Sequence, residues 1–274
     1  MLGIDATAAT TTTTTTATIA QVQSIDIEIA TELHFIGRAL EYLGKYSQAL
    51  QYYEQSLQQR EQLFGDKGHP DIAVSCNNIG SVLRLQHKLD EAMQYYQRAL
   101  QLRIELLGET HPSVAQSYNN IGVVLSSQSK FQESLIAHQK AIDIRLKSLG
   151  NSHPDVVQSF HNMAMLLDTA GRYKEAYEYY NKALQLYRKL FGDDHPTVAK
   201  TLHNMGTSLH FQGKYDEAMA RYNEALVIKE KLFKENHQQP QQTQQTQQTQ
   251  QTQQTQQTQQ TQQTQQTQQS ATSL

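Results

Sequence analysis

Between residues 28 and 236 the chain alternates apolar, small and polar positions on a fixed schedule. Large apolar residues stand at Leu33, Cys76, Tyr118, Phe160 and Leu202, then three on at Ile36, Ile79, Ile121, Met163 and Met205. Four further come Leu40, Leu83, Leu125, Leu167 and Leu209. Spacings of three and four put these side chains on one stripe of a helix. Small residues are interleaved with them at Gly37, Gly80, Gly122, Ala164 and Gly206. More follow at Ala49, Ala92, Ser134, Ala176 and Ala218, and at Ser56, Ala99, Ala141, Ala183 and Ala225. A small side chain on a helix face lets a neighbouring helix come close.

The polar breaks fall on the same schedule. Gly44-Lys45, His87-Lys88, Ser129-Lys130, Gly171-Arg172 and Gly213-Lys214 each interrupt the stripe, so every unit reads as two antiparallel helices. Tyr53, Tyr96, His138, Tyr180 and Tyr222 occupy matching places in the second helix, where they fill the space between the pair. His-Pro occurs at 69–70, 111–112, 153–154 and 195–196, always 42 residues apart. Proline suits the first helical position, because its missing N–H would have no partner there. The histidine before it then sits near the N-cap. Gly65, Gly108, Gly150 and Gly192 stand where the previous helix stops, a place that favours the left-handed conformation. Periodicity of this kind marks a solenoid of stacked units. The repeat region spans 26–236, with units at about 28–68, 69–110, 111–152, 153–194 and 195–236.

The flanks differ in composition. Residues 1–25 form a leader that contains seven consecutive threonines, and residues 237–274 carry nine copies of Gln-Gln-Thr. Neither has the apolar content to offset the entropy of ordering, so both are expected to be disordered. The N-terminus has no basic start followed by an apolar core, so it does not read as a secretory signal.

A net charge of −3 gives no reason to expect nucleic acid as a partner, and no apolar run is long enough to span a bilayer. The one cysteine, Cys76, rules out an intrachain disulfide and fits a reducing, cytoplasmic setting. Candidate chemistry is thin. Equivalent histidines on repeats stacked roughly 10 Å apart cannot share an ion that needs ligands at about 2.0–2.1 Å. His161 with Asp168, and His203 with His210, lie seven apart on one helix face, but no nucleophile with a neighbouring base accompanies them. No zinc-protease, phosphate-loop or dinucleotide motif is present. The expectation is a protein without catalytic residues, cofactor or metal.

The stretches "HPSVAQSYNNIGVVL" and "GKYDEAMARYNEALVIKEKLF" resemble the tetratricopeptide repeats of kinesin light chains. The general motif has a period of about 34 residues, and the longer unit here gives each helix roughly one more turn. The resemblance covers residues 28 to about 234. It implies an all-α, right-handed α-solenoid of about five helix pairs, and a concave groove that binds peptide segments. A link to a microtubule motor follows by resemblance only, because residues 1–27 hold no three heptads of the kind that grip a motor heavy chain.

By the same resemblance the groove is lined by Arg38, Asn77, Arg84, Asn119, Asn120, His161, Asn162, Lys200, His203 and Asn204. An asparagine costs a helix some propensity, so its recurrence at fixed positions suggests a role. One role is to hold the backbone of an extended peptide, since an amide both donates and accepts. The other is to bridge adjacent repeats. The functional expectation is a non-catalytic adaptor for a peptide or protein partner. The alternatives are a self-assembling structural scaffold or the regulatory subunit of a signalling or transport complex. The stack has no clear polar cap after residue 234, which leaves pairing into a homodimer open.

Overall fold

The computed structural model describes residues 5–65 and 68–235, with side chains from residue 24 onward. It is built from helices, with no strand among the described residues. In order they are α1 (Asp5–Tyr42), α2 (Tyr46–Phe64), α3 (Pro70–Leu85), α4 (Leu89–Leu107), α5 (Pro112–Ser127), α6 (Phe131–Leu149), α7 (Pro154–Thr169), α8 (Tyr173–Phe191) and α9 (Pro196–Phe211). A further helix, α10, occupies residues 215–235. The Gln-Gln-Thr tail lies outside the described residues. Helix α1 starts within the Thr-rich stretch, so the first repeat is carried by a helix that extends backwards into the leader.

The chain divides into two units, residues 1–186 and 187–274. In the first, helices pair in order: α1 with α2, α3 with α4, α5 with α6, and each pair packs on the next.

Each first helix starts as its sequence dictates. His69, His111, His153 and His195 are N-caps followed by Pro. Each imidazole Nδ1 accepts a hydrogen bond from the backbone N–H two residues on, at 3.2–3.3 Å. That bond satisfies one of the donors a helix start leaves open. Turns within a repeat close by a bond from the residue after the break back to the first helix, such as Lys45 N to Leu40 O at 2.9 Å. This is the six-to-one contact of a Schellman stop, which needs a left-handed residue. His87 and Ser129 adopt it at φ 61° without being glycine.

The small residues serve a more specific purpose than close approach of helices. A Cβ on Gly37 would meet the Tyr53 ring at 2.8 Å, on Gly80 the Tyr96 ring at 3.0 Å, and on Gly122 His138 Nε2 at 2.7 Å. In the second unit a Cβ on Gly206 would meet Tyr222 at 2.7 Å. The glycine notch of α1, α3, α5 and α9 therefore receives the ring of its own partner helix. Tyr53, Tyr96 and Tyr180 are at most 2% exposed, and burying such a ring contributes roughly 1.5–3 kcal/mol.

Candidate functional site

Two networks cross the joints between repeats in the first unit. One is made of amides. Asn120 donates through Nδ2 to Asn77 Oδ1, and Asn162 donates to Asn119 Oδ1, both at 2.8 Å. Each second-row asparagine thus grips the first-row asparagine of the preceding repeat. Asn78 takes the same step towards His34 Nε2 at 3.4 Å, and Asn77 donates to Asn78 Oδ1 at 3.3 Å. Gln158 donates to Asn162 Oδ1 at 2.8 Å. Of the two roles an asparagine row can fill, bridging between repeats is the one these bonds display.

The second network was not singled out in the sequence. Arg60, Arg103 and Arg145 are buried, each four residues beyond the second small position of its helix. Arg60 donates through Nη1 to Asp71 O at 3.0 Å and Ser75 Oγ at 2.7 Å. Arg103 does so to Ser113 O and Ser117 Oγ at 2.9 and 2.8 Å, and Arg145 to Asp155 O and Ser159 Oγ at 3.1 and 2.6 Å. Burial lowers the pKa of all three guanidinium groups, although Asp71 and Asp155 partly offset it at Arg60 and Arg145. They stay charged, because arginine is not deprotonated in proteins. The period of 42–43 was there to find, but a charged residue on a helix reads first as surface.

Where the tyrosine rings pass through their notches, their hydroxyls reach the inner polar positions. Tyr53 donates to Glu41 Oε2 at 2.8 Å, and its pKa is raised by burial and by that bond. Burial raises the Tyr96 pKa, and nearby Arg84 and Ser81 oppose that shift. In the third repeat the ring is His138, which has no hydroxyl. There a cavity of 170 Å³ opens, lined by Val123, Ser126, Ser127, His138, Asn162, Met165, Leu166 and Thr169. Burial, and then the charge of Arg145, hold the His138 pKa down to about 4.

The expected groove residues fall into different settings. Arg38 is exposed, with its guanidinium 5.9 Å from the Phe35 ring centre. Asn77 is buried, and Arg84, Asn119, Asn120 and Asn162 are half-buried. His161 is 3% exposed and turns edge-on to Tyr180 at 5.3 Å, so it packs behind the inner face and does not stand on it. In the second unit Lys200 and His203 are exposed and Asn204 is half-buried, with the His203 ring 5.3 Å from that of Tyr222. Cys76 is buried and its thiol is pushed up to about 11, chiefly by that burial. Among the described residues no cluster of His, Cys, Asp or Glu is grouped to hold a metal. Among them also, no helix is long and apolar enough to cross a membrane.

Tetratricopeptide family models match residues 30–71, 71–147, 124–187 and 155–231. The chain belongs to the tetratricopeptide repeat family. This tetratricopeptide chain is similar in structure to BtubC (BKLC) from P. vanneervenii, at TM-score 0.66 and 19% identity, over 77% of this chain and 90% of that one. It is also similar to a putative kinesin light chain of Podospora anserina with nearly identical TPR-like repeats, at TM-score 0.65 and 19% identity, over 76% and 97%. A Rap protein complexed with competence and sporulation factor matches at TM-score 0.58 and 16% identity, over 72% of this chain and 52% of that one. At these identities the likeness is one of fold. No curated protein matches the chain. The tetratricopeptide fold is typical of protein–protein interaction modules, and proteins built from it are generally non-catalytic.

Proposed function

We propose that the chain is a non-catalytic interaction module that takes a peptide or protein partner on the inner face of its repeats, in the manner of kinesin light chain-type repeats. The observation that carries this reading is the cavity at His138. The other aromatic rings of this series are tyrosines, and in the first unit Tyr53 spends its hydroxyl on the inner-face Glu41. The third repeat lacks that hydroxyl, and its lining differs in charge: the equivalent cavity of the first repeat, 410 Å³ beside Tyr53, is walled by Arg38 and Glu41, whereas the one at His138 has no charged wall.

The lining pairs apolar Val123 and Met165 with Ser126, Asn162 and Thr169, and none of its side chains is an acid or a permanent cation. With its pKa held to about 4, His138 is neutral at pH 7. Such a lining suits an uncharged side chain that brings a hydrogen-bonding group, since a charged one would lose its hydration without a counter-ion. Arg38, Arg84 and the half-buried amides frame this face in the first unit; Lys200, His203 and Asn204 present a similar polar row in the second. One Rap protein of this fold is complexed with competence and sporulation factor and another with the Phr* peptide, which supports a peptide ligand for this chain. A net charge of −3 disfavours nucleic acid. We place the chain in the cytoplasm, and a motor link remains a matter of resemblance.

The test is His138→Tyr, which restores the ring found in the other repeats and puts its hydroxyl into the cavity. Partners enriched by the wild-type chain and identified by mass spectrometry should be lost with this variant. Retention of the same partner at unchanged affinity by the folded variant removes the cavity from the binding surface.

A further inference from the structure

Every joint between repeats in the first unit buries the same set of positions. Ile72 and Ile79 of α3, Val114 and Ile121 of α5, and Val156 and Met163 of α7 are all at most 9% exposed. On the other side of the first of these joints, Leu57 of α2 lies in one apolar cluster with Ile72 and Cys76. At the middle of each joint sits the arginine–serine contact: Arg60 with Ser75, Arg103 with Ser117, Arg145 with Ser159.

The first helix presents the same face without a cover among the described residues. Ile29 and Ile36 of α1 match Ile72 and Ile79 in the repeat, yet each is 42% exposed. Where the joint serine belongs, α1 has Glu32, which is exposed. The last described helix presents the other half. Leu226 of α10 matches Leu57 and Ile142, which are 6% and 2% exposed, but is itself 52% exposed; Met219 beside it is 59% exposed. Where the joint arginine belongs, α10 has exposed Lys229.

We infer that α10 of one copy docks on α1 of a second copy, and so makes between chains the joint that the repeats make within one. Leu226 and Met219 cover Ile29 and Ile36, and Lys229 meets Glu32 in the place of arginine and serine. The two charges are opposite and occupy the positions that touch at the three joints of the first unit. A Glu at the joint position answers a cation from the other side, where the internal serine answers an arginine. The flanking position agrees. Arg98 of α4 pairs with Glu61 of α2, and the corresponding pair across copies is Gln55 with Glu230, which carries no like-charge repulsion. The contact joins two different faces, so an open dimer keeps one of each unused and association continues past it until a ring closes.

Light scattering and sedimentation velocity on the full chain, across concentration, test this. The wild type should grow beyond dimers, while Ile36→Asp and Leu226→Asp should each stay monomeric. An equimolar mixture of those two variants should form a one-to-one complex and nothing larger, because one retains the α10 face and the other the α1 face. Both substitutions are at exposed positions, and circular dichroism confirms that the helices persist. Lys229→Glu should weaken assembly about tenfold, and adding Glu32→Lys to the same chain should restore it. A wild type that is monomeric at all concentrations overturns the inference. So does assembly of Ile36→Asp or Leu226→Asp at the wild-type level, which would point to the Gln-rich tail, or a mixture that stays monomeric.

Discussion

Ser159 Oγ accepts from Arg145 Nη1 at 2.6 Å across the joint between α6 and α7. Both residues are buried, at 1% and 8% exposure. Replacing Ser159 with Ala leaves a buried guanidinium short of an acceptor. The expected cost is about 1–3 kcal/mol in denaturant unfolding. In Arg145→Leu/Ser159→Ala the two losses should be less than additive, because the second removes a partner that the first no longer needs.

Ser129 holds a left-handed conformation at φ 61°, where Gly44 and Gly171 stand in other repeats. That conformation costs a non-glycine residue about 1–2 kcal/mol. Ser129→Gly should stabilise the chain by about 1 kcal/mol, after its extra unfolded-state entropy is deducted. A rise in melting temperature checks it, and His87→Gly should behave alike.

His34 and His138 both have pKa values lowered to about 4, chiefly by burial and then by arginine charge. Below the ordinary histidine range the unfolded chain binds protons that the folded chain refuses. Stability is therefore intact above about pH 6.5 and declines as pH falls towards 4. Unfolding midpoints measured across this range should drop, and His138→Tyr should make the decline shallower.

Asn120 is half-buried and donates to Asn77 across a joint. Asn120→Ala should cost about 1 kcal/mol, offset in part by the better helix propensity of Ala. Hydrogen exchange should quicken in α3 and α5 more than in α1. A change confined to ligand binding, with no loss of stability, would contradict the bridging role.

Much of the fold was legible because its causes are local and periodic. His-Pro starts, left-handed glycine stops and the Leu stripe each act within a few residues, so a 42-residue ruler aligns them. The histidine caps were legible for the same reason. The amides were ambiguous because a recurring asparagine looks alike whether it faces a ligand or a neighbour. Its true partner is 43 residues away, one more than the period, as with Asn120 and Asn77. Arg60, Arg103 and Arg145 were missed because burial of a cation depends on carbonyls brought in by the following helix. His161 was misplaced because its partner, Tyr180, enters from the second helix of the pair.

The 43-residue offset bears on how such a chain can change in length. If residues 111–152 were excised, Asn162 would fall into the place of Asn120 and face Asn77. Arg103 would find Ser159 where Ser117 had been. Both fasteners survive the loss of a whole unit, whereas a deletion that is not a whole number of units would break their register. What is duplicated along this chain is the seam as much as the helix pair, so whole units can be gained or lost without new partners having to arise.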